Sequence, residues 1–185
     1  VKAKLDGKPN QLKVLVLGAP GSGKTTQCER IVDTFRVVRV NVEELPFEIV
    51  NDASNVPKEL VEESQSSIKK NSFSNEFQIK ILKWRLNQQD CLERGWVVDG
   101  FPLKDVRIFD TEAIFPDYVI ELHGVDDKIV KERIDGRRMN PDTHKIFHVR
   151  HNPPGDIKVV QIPKDKQVPN LAPYEQNITT IRNEL

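Results

Sequence analysis

Two cysteines in 185 residues, Cys28 and Cys91, are too few for a disulfide framework or a thiolate metal cluster, so a reducing, cytoplasmic setting is the default. Neither sign of charge is in excess: 28 Lys and Arg offset 28 Asp and Glu. That balance removes any whole-surface attraction to nucleic acid or to an anionic membrane, while leaving room for a local cationic pocket. No apolar run approaches the roughly 20 residues that a bilayer crossing needs, and the opening VKAKLDGKPN does not read as a signal peptide. Internal repeats and low-complexity tracts are also missing. What is present, 37% hydrophobic and 30% charged residues in 21.2 kDa, is the composition of one folded domain with room for insertions. The first residue is Val rather than Met, which fits a segment of a longer protein or a processed chain.

Residues 1–10 read as a polar tail or linker. From Leu12 to Leu17 the chain is nearly all apolar and then meets Gly18, the pattern of a parallel strand covered on both faces. Helical spacing over Thr25 to Phe35 and a β-branched run over Val37 to Val42 complete a strand–helix–strand unit. Helices are predicted over Glu43–Asp52, Lys58–Lys70 and one long stretch, Glu76–Arg94, with Phe77, Ile81, Trp84 and Leu92 near one face and Gly95 closing it. Trp96–Asp99 and Tyr118–Leu122 are further strands, and Asp126 or Asp127 caps the helix that carries Val130 and Ile134. Beyond Gly136 the many prolines and short β-branched pieces predict a small hairpin-like flap, with a last helix over Tyr174–Leu185.

The most informative stretch is Gly18-Ala19-Pro20-Gly21-Ser22-Gly23-Lys24-Thr25, a full G-x-x-x-x-G-K-[ST] match between a buried strand and a helix. Its glycines let successive N–H groups converge on phosphate oxygens, and the helix that follows adds its positive end. Lys24 supplies a point charge to the β- and γ-phosphates, and the Thr25 hydroxyl is a ligand for Mg²⁺. Asp99, at the carboxyl end of its strand, is placed as a second partner of Mg²⁺, partly through water, because ligands of open parallel sheets collect there.

Taken in order, GAPGSGKTTQ, GWVVDGFP, ERIDGRR and IFHVRHNPP resemble the adenylate kinases over residues 11–185. The resemblance implies an α/β P-loop, three-layer fold around a five-stranded parallel sheet. Its core is 11–42 and 75–136, with a monophosphate-binding helical insertion at 43–74 and a lid at 137–171. It implies phosphoryl transfer from ATP with Mg²⁺ to a nucleoside monophosphate. ATP contacts fall on Gly18, Gly21, Ser22, Gly23, Lys24, Thr25 and Thr26; Arg133 matches the arginine packed on the ATP adenine. Lys24, Asp99 and Arg137 match catalytic positions, Arg137 being the arginine that contacts transferring phosphates. The four-residue spacing of Arg133 and Arg137 puts them on one helix face.

Other family positions are changed. Phe47 stands where the family has the arginine for the AMP phosphate, Leu103 where it has the arginine after G-F-P, and Arg107 where a glutamine reads the base. Near the chain's end Pro173 and Glu184 fall on two more phosphate-clamping arginines, with Arg182 near enough to replace one. Arg36, Arg39 and Arg107 are the candidates to compensate on the acceptor side. An arginine finger is worth on the order of 10³–10⁵ in turnover, so these losses predict an intact donor half and a weakened acceptor half. The alternative is a non-catalytic structural or regulatory module of a larger assembly, as in family relatives built into long ciliary or flagellar chains. His144, His148 and His151 read as flap surface rather than a metal site, and Trp84 and Trp96 as core.

Overall fold

In a computed structural model the chain is described over residues 11–18, 21–100, 114–123, 126–141 and 146–161. The expectations for residues 1–10, Leu103, Arg107, His144, Pro173, Arg182, Glu184 and the helix over Tyr174–Leu185 lie outside the described residues. The chain divides into two compact units, residues 1–17 with 24–121 and residues 18–23 with 122–185.

A parallel α/β sheet organises the first unit. Strand β1 (Lys13–Gly18) and strand β2 (Val38–Asn41) both pair parallel to β3 (Trp96–Asp99), with Val14 opposite Val97 and Asn41 opposite Asp99. The strand order is β2-β3-β1-β4, where β4 is Tyr118–Leu122. Val14 to Leu17 and all four residues of β3 are buried, which is why their sequences read as continuous apolar runs rather than alternating ones. This sheet has four strands among the described residues, where the resemblance implies five.

Helix α1 (Lys24–Phe35) follows β1 and buries Cys28. Helices α2 (Leu45–Asn51) and α3 (Lys58–Lys70) pack together, with Leu45, Ile49 and Leu60 buried. Asn71, left-handed at φ 47°, closes α3 after Lys69 and Lys70, whose charges suit its carbonyl end. The single helix expected over Glu76–Arg94 is instead two, α4 (Asn75–Leu86) and α5 (Gln89–Arg94). Gln88 is extended (φ −72°, ψ 150°) and breaks the run, so Leu92 leaves the common face and is 55% exposed. Ser74 caps α4, its hydroxyl accepting from the Phe77 N–H at 3.2 Å. Trp96 is buried as expected, but Trp84 is half-buried and lines an open cleft of about 250 Å³ with Val56, Arg85 and Asp90.

The second unit holds helix α6 (Asp127–Asp135), capped by Asp126 Oδ1 accepting from the Lys128 N–H at 2.7 Å. A three-stranded antiparallel sheet follows, in the order β6-β5-β7, from β5 (Arg137–Met139), β6 (Ile146–His148) and β7 (Val160–Gln161). This is the small hairpin-like flap that the proline-rich sequence predicts. Arg133 and Arg137 do not share a helix face: Gly136 ends α6, and Arg137 opens β5 opposite His148. Gly136 is required there because a Cβ would run into the His148 ring. No helix among the described residues is long and apolar enough to cross a membrane.

Candidate functional site

In the second unit Gly18, Gly21 and Gly23 fold with backbone angles that suit only glycine. Gly21 is buried at φ +81° against Val130 and Ile134, and Gly23 sits at φ +99°. At Gly18 a Cβ would come within 2.7 Å of Ser22 Oγ and 2.8 Å of the Leu122 carbonyl. Arg133 of α6 braces this loop: its Nη1 donates to the Gly21 carbonyl at 3.1 Å and to the Ser22 carbonyl at 3.3 Å. In a trans peptide the C=O and the following N–H point in opposite directions. Anchoring those two carbonyls on the guanidinium therefore turns the N–H groups of Ser22 and Gly23 the other way, both toward one side of the loop. Two successive amides aimed together form an anion-binding concavity. The Ser22 hydroxyl is buried without a partner, a further polar group in the same turn.

Lys24, Thr25 and Thr26 begin α1 in the first unit, directly after Gly23 in the chain, and the first turn of that helix carries no acidic residue to offset its positive end. The hydroxyl-bearing Thr25 and Thr26 are exposed. One turn further, Cys28 is fully buried, and its thiol is pushed up to about 12 by burial and by the Asp99 charge, with Arg39 and Lys24 opposing. Lys24, Asp99 and Arg39 are thus gathered around one apolar point.

Asp99 is 1% exposed, and its carboxylate is already engaged: Arg39 Nη2 donates to Oδ2 at 2.9 Å. Arg39 Nη1 also lies 3.6 Å from Glu44 Oε2, and Glu44 Oε1 accepts from Asn41 Nδ2 at 2.7 Å. Burial alone would lower the Arg39 pKa; the hydrogen bond to Asp99 and the charges of Glu44 and Asp99 outweigh it and hold the guanidinium above its ordinary value. The parallel register of β2 and β3 creates this pair, which the sequence reading of Arg39 as a candidate to compensate on the acceptor side did not include. The oxygen set of Thr25 and Asp99 suits a hard cation such as Mg²⁺, although the metal would have to share Asp99 with Arg39.

In α2, Phe47 is 48% exposed and meets Phe73 with ring centroids 6.4 Å apart. Glu48 beside it has its pKa raised by burial and by Glu44, with Arg85 and Arg39 opposing. In the flap, His148 stacks on His151 at 4.5 Å, and its Nδ1 accepts from the Arg150 and His151 N–H groups. Among the described residues no group of three or more His, Cys, Asp or Glu is placed to hold a metal ion.

The sequence family described as adenylate kinase matches residues 16–183. A rice protein (Oryza sativa subsp. japonica), "Probable adenylate kinase 2, chloroplastic", is 37% identical over 157 residues, 82% of this chain and 52% of its own length. The maize (Zea mays) "Adenylate kinase, chloroplastic" is 33% identical over 92% of this chain and 79% of its own. The adenylate kinase of Francisella philomiragia is 32% identical over 77% and 65% respectively. The chain thus spans about half the length of the rice relative. With a match across most of its residues and a glycine loop braced from α6, this chain belongs to the adenylate kinase family.

Proposed function

We propose that the chain binds ATP through its phosphate loop and serves as the donor half of a nucleoside-monophosphate kinase whose acceptor half is weakened. One observation carries the donor reading: Arg133 holds the Gly21 and Ser22 carbonyls, which turns the next two amides together toward a phosphate. Lys24, next in the chain, adds a point charge for the β- and γ-oxygens, and the N-terminus of α1 adds its dipole. Thr25 and Asp99 are the residues that would hold Mg²⁺, which would supply charge neutralisation for the phosphates. Arg137, on β5, approaches the transferring group in this reading, and Arg133 contributes by ordering the loop as well as by meeting the nucleotide. The domain boundaries follow the family, with 43–74 as the monophosphate-binding insertion and 137–171 as the lid.

Phosphoryl transfer leaves a protein little to do except position the reactants and stabilise charge. Phe47 offers an acceptor phosphate no donor, and its contact with Phe73 commits it to apolar packing. That favours slow or absent transfer, and it is also the observation that favours the second reading, a regulatory or structural module that retains ATP. No observation favours a ciliary or flagellar setting over any other. Thermal unfolding with ATP and Mg²⁺ tests the donor site: stabilisation is expected in the wild type and absent in Lys24→Ala, and no shift in the wild type removes the proposal.

A further inference from the structure

The ion pair between Arg39 and Asp99 is not explained by phosphate binding. Asp99 is nearly inaccessible beside the buried Cys28, and a carboxylate there without a counter-charge would be costly. Arg39 supplies that charge at 2.9 Å. It is also poised to leave, because a second carboxylate, Glu44, lies 3.6 Å from its other terminal nitrogen and is held in place by Asn41. Glu44 is 55% exposed at its side chain, so it is the solvated member of the two. The Arg39 Nε is buried with no hydrogen-bond partner among the described residues, so they do not fully satisfy the guanidinium where it stands. One guanidinium between a buried and an exposed carboxylate is a two-position element.

We propose that Arg39 is the resident counter-cation of Asp99 and exchanges with the divalent ion, moving onto Glu44 when metal arrives with the nucleotide. Arg39 is therefore a positioning residue: it acts on the metal through Asp99 and sets how strongly ATP binding depends on Mg²⁺. With Arg39 in place, Asp99 is neutralised in either state, so the metal gains little from it. Without Arg39 the buried carboxylate loses its guanidinium partner, and the ion gains more from it. The inference rests on the proposed role of Asp99 as a metal partner.

The test is the ratio of ATP dissociation constants measured calorimetrically on the full chain, in EDTA and in millimolar Mg²⁺. Arg39→Gln should raise that ratio about tenfold or more over wild type, since a unit charge a few ångströms from a dication is worth at least that much. Arg39→Lys should restore the wild-type ratio, and Arg39→Gln with Asp99→Asn should abolish the increase. In buffer free of metal and nucleotide, Arg39→Gln should melt lower than wild type, and the double variant should recover part of the loss. An unchanged ratio in Arg39→Gln, or a double variant no more stable than the single one, overturns the exchange. A wild-type chain that binds no ATP overturns the donor-site reading, and the exchange falls with it; wild-type ATP binding with an unchanged ratio sinks the exchange alone.

Discussion

Replacing Arg133 by Met isolates the bracing of the phosphate loop. Met keeps an apolar stem of similar reach and removes the Nη1 donor that the Gly21 and Ser22 carbonyls share at 3.1 and 3.3 Å. A hydrogen bond to a charged group contributes about 1.5–3 kcal/mol when it is well formed. Here one NH₂ nitrogen serves two acceptors at 3.1 and 3.3 Å in a half-buried setting, so the pair is worth about 1–2 kcal/mol in total. If ATP binding must then order the loop itself, affinity should fall about 5–30-fold. Calorimetric titration with ATP and, separately, with inorganic tripolyphosphate distinguishes bracing from packing on the adenine. Bracing predicts equal losses for both ligands, because both use the same amides. A loss confined to ATP would assign Arg133 to the base alone, and unchanged affinity for both would refute the account of how the loop is ordered.

Two further outcomes follow from the same geometry. Phe47→Arg returns a guanidinium to α2, and AMP affinity should rise about tenfold or more, the scale of one well-placed charged donor, with ATP affinity unchanged; equal AMP affinity in the variant and the wild type would clear Phe47 of responsibility for the weakened side. Cys28 gives stability a dependence on alkaline pH. Its folded pKa is raised from 9.0 to about 12, chiefly by burial. Above pH 9.0 the unfolded thiol loses its proton while the folded one keeps it, so the contribution is complete below 9.0 and is lost as pH climbs toward about 12. Denaturant midpoints across that range should decline less in Cys28→Val than in the wild type; parallel declines would assign the slope to other groups.

The fold was legible wherever local pattern and tertiary environment agree. Strands β1 and β3 show it best: β1 is buried from Val14 onward and β3 throughout, so nearly unbroken apolar letters sufficed to mark them. The bounds of α3, Lys58 to Lys70, follow from the proline before it and the residue that closes it. The break between α4 and α5 was not legible, because Asn87-Gln88 carries neither glycine nor proline to mark the extended Gln88. Gly136 ends a helix that the arginine spacing alone continues, and the His148 ring that leaves no room for a side chain there comes from a strand remote in sequence. At the site, loop residues Gly18 to Thr25 announce themselves by spacing. The engagement of Asp99 by Arg39 does not, since it depends on a parallel register joining residues 60 apart.

The division between a competent donor side and an impaired acceptor side is tested most directly by following ADP formation in a coupled assay. ATP and Mg²⁺ are supplied with each nucleoside monophosphate in turn, for the wild type, Lys24→Ala and Phe47→Arg. The account predicts slow or undetectable turnover in the wild type, a gain in Phe47→Arg, and none in Lys24→Ala. Rapid wild-type turnover with any monophosphate, abolished by Lys24→Ala and indifferent to residue 47, would contradict it.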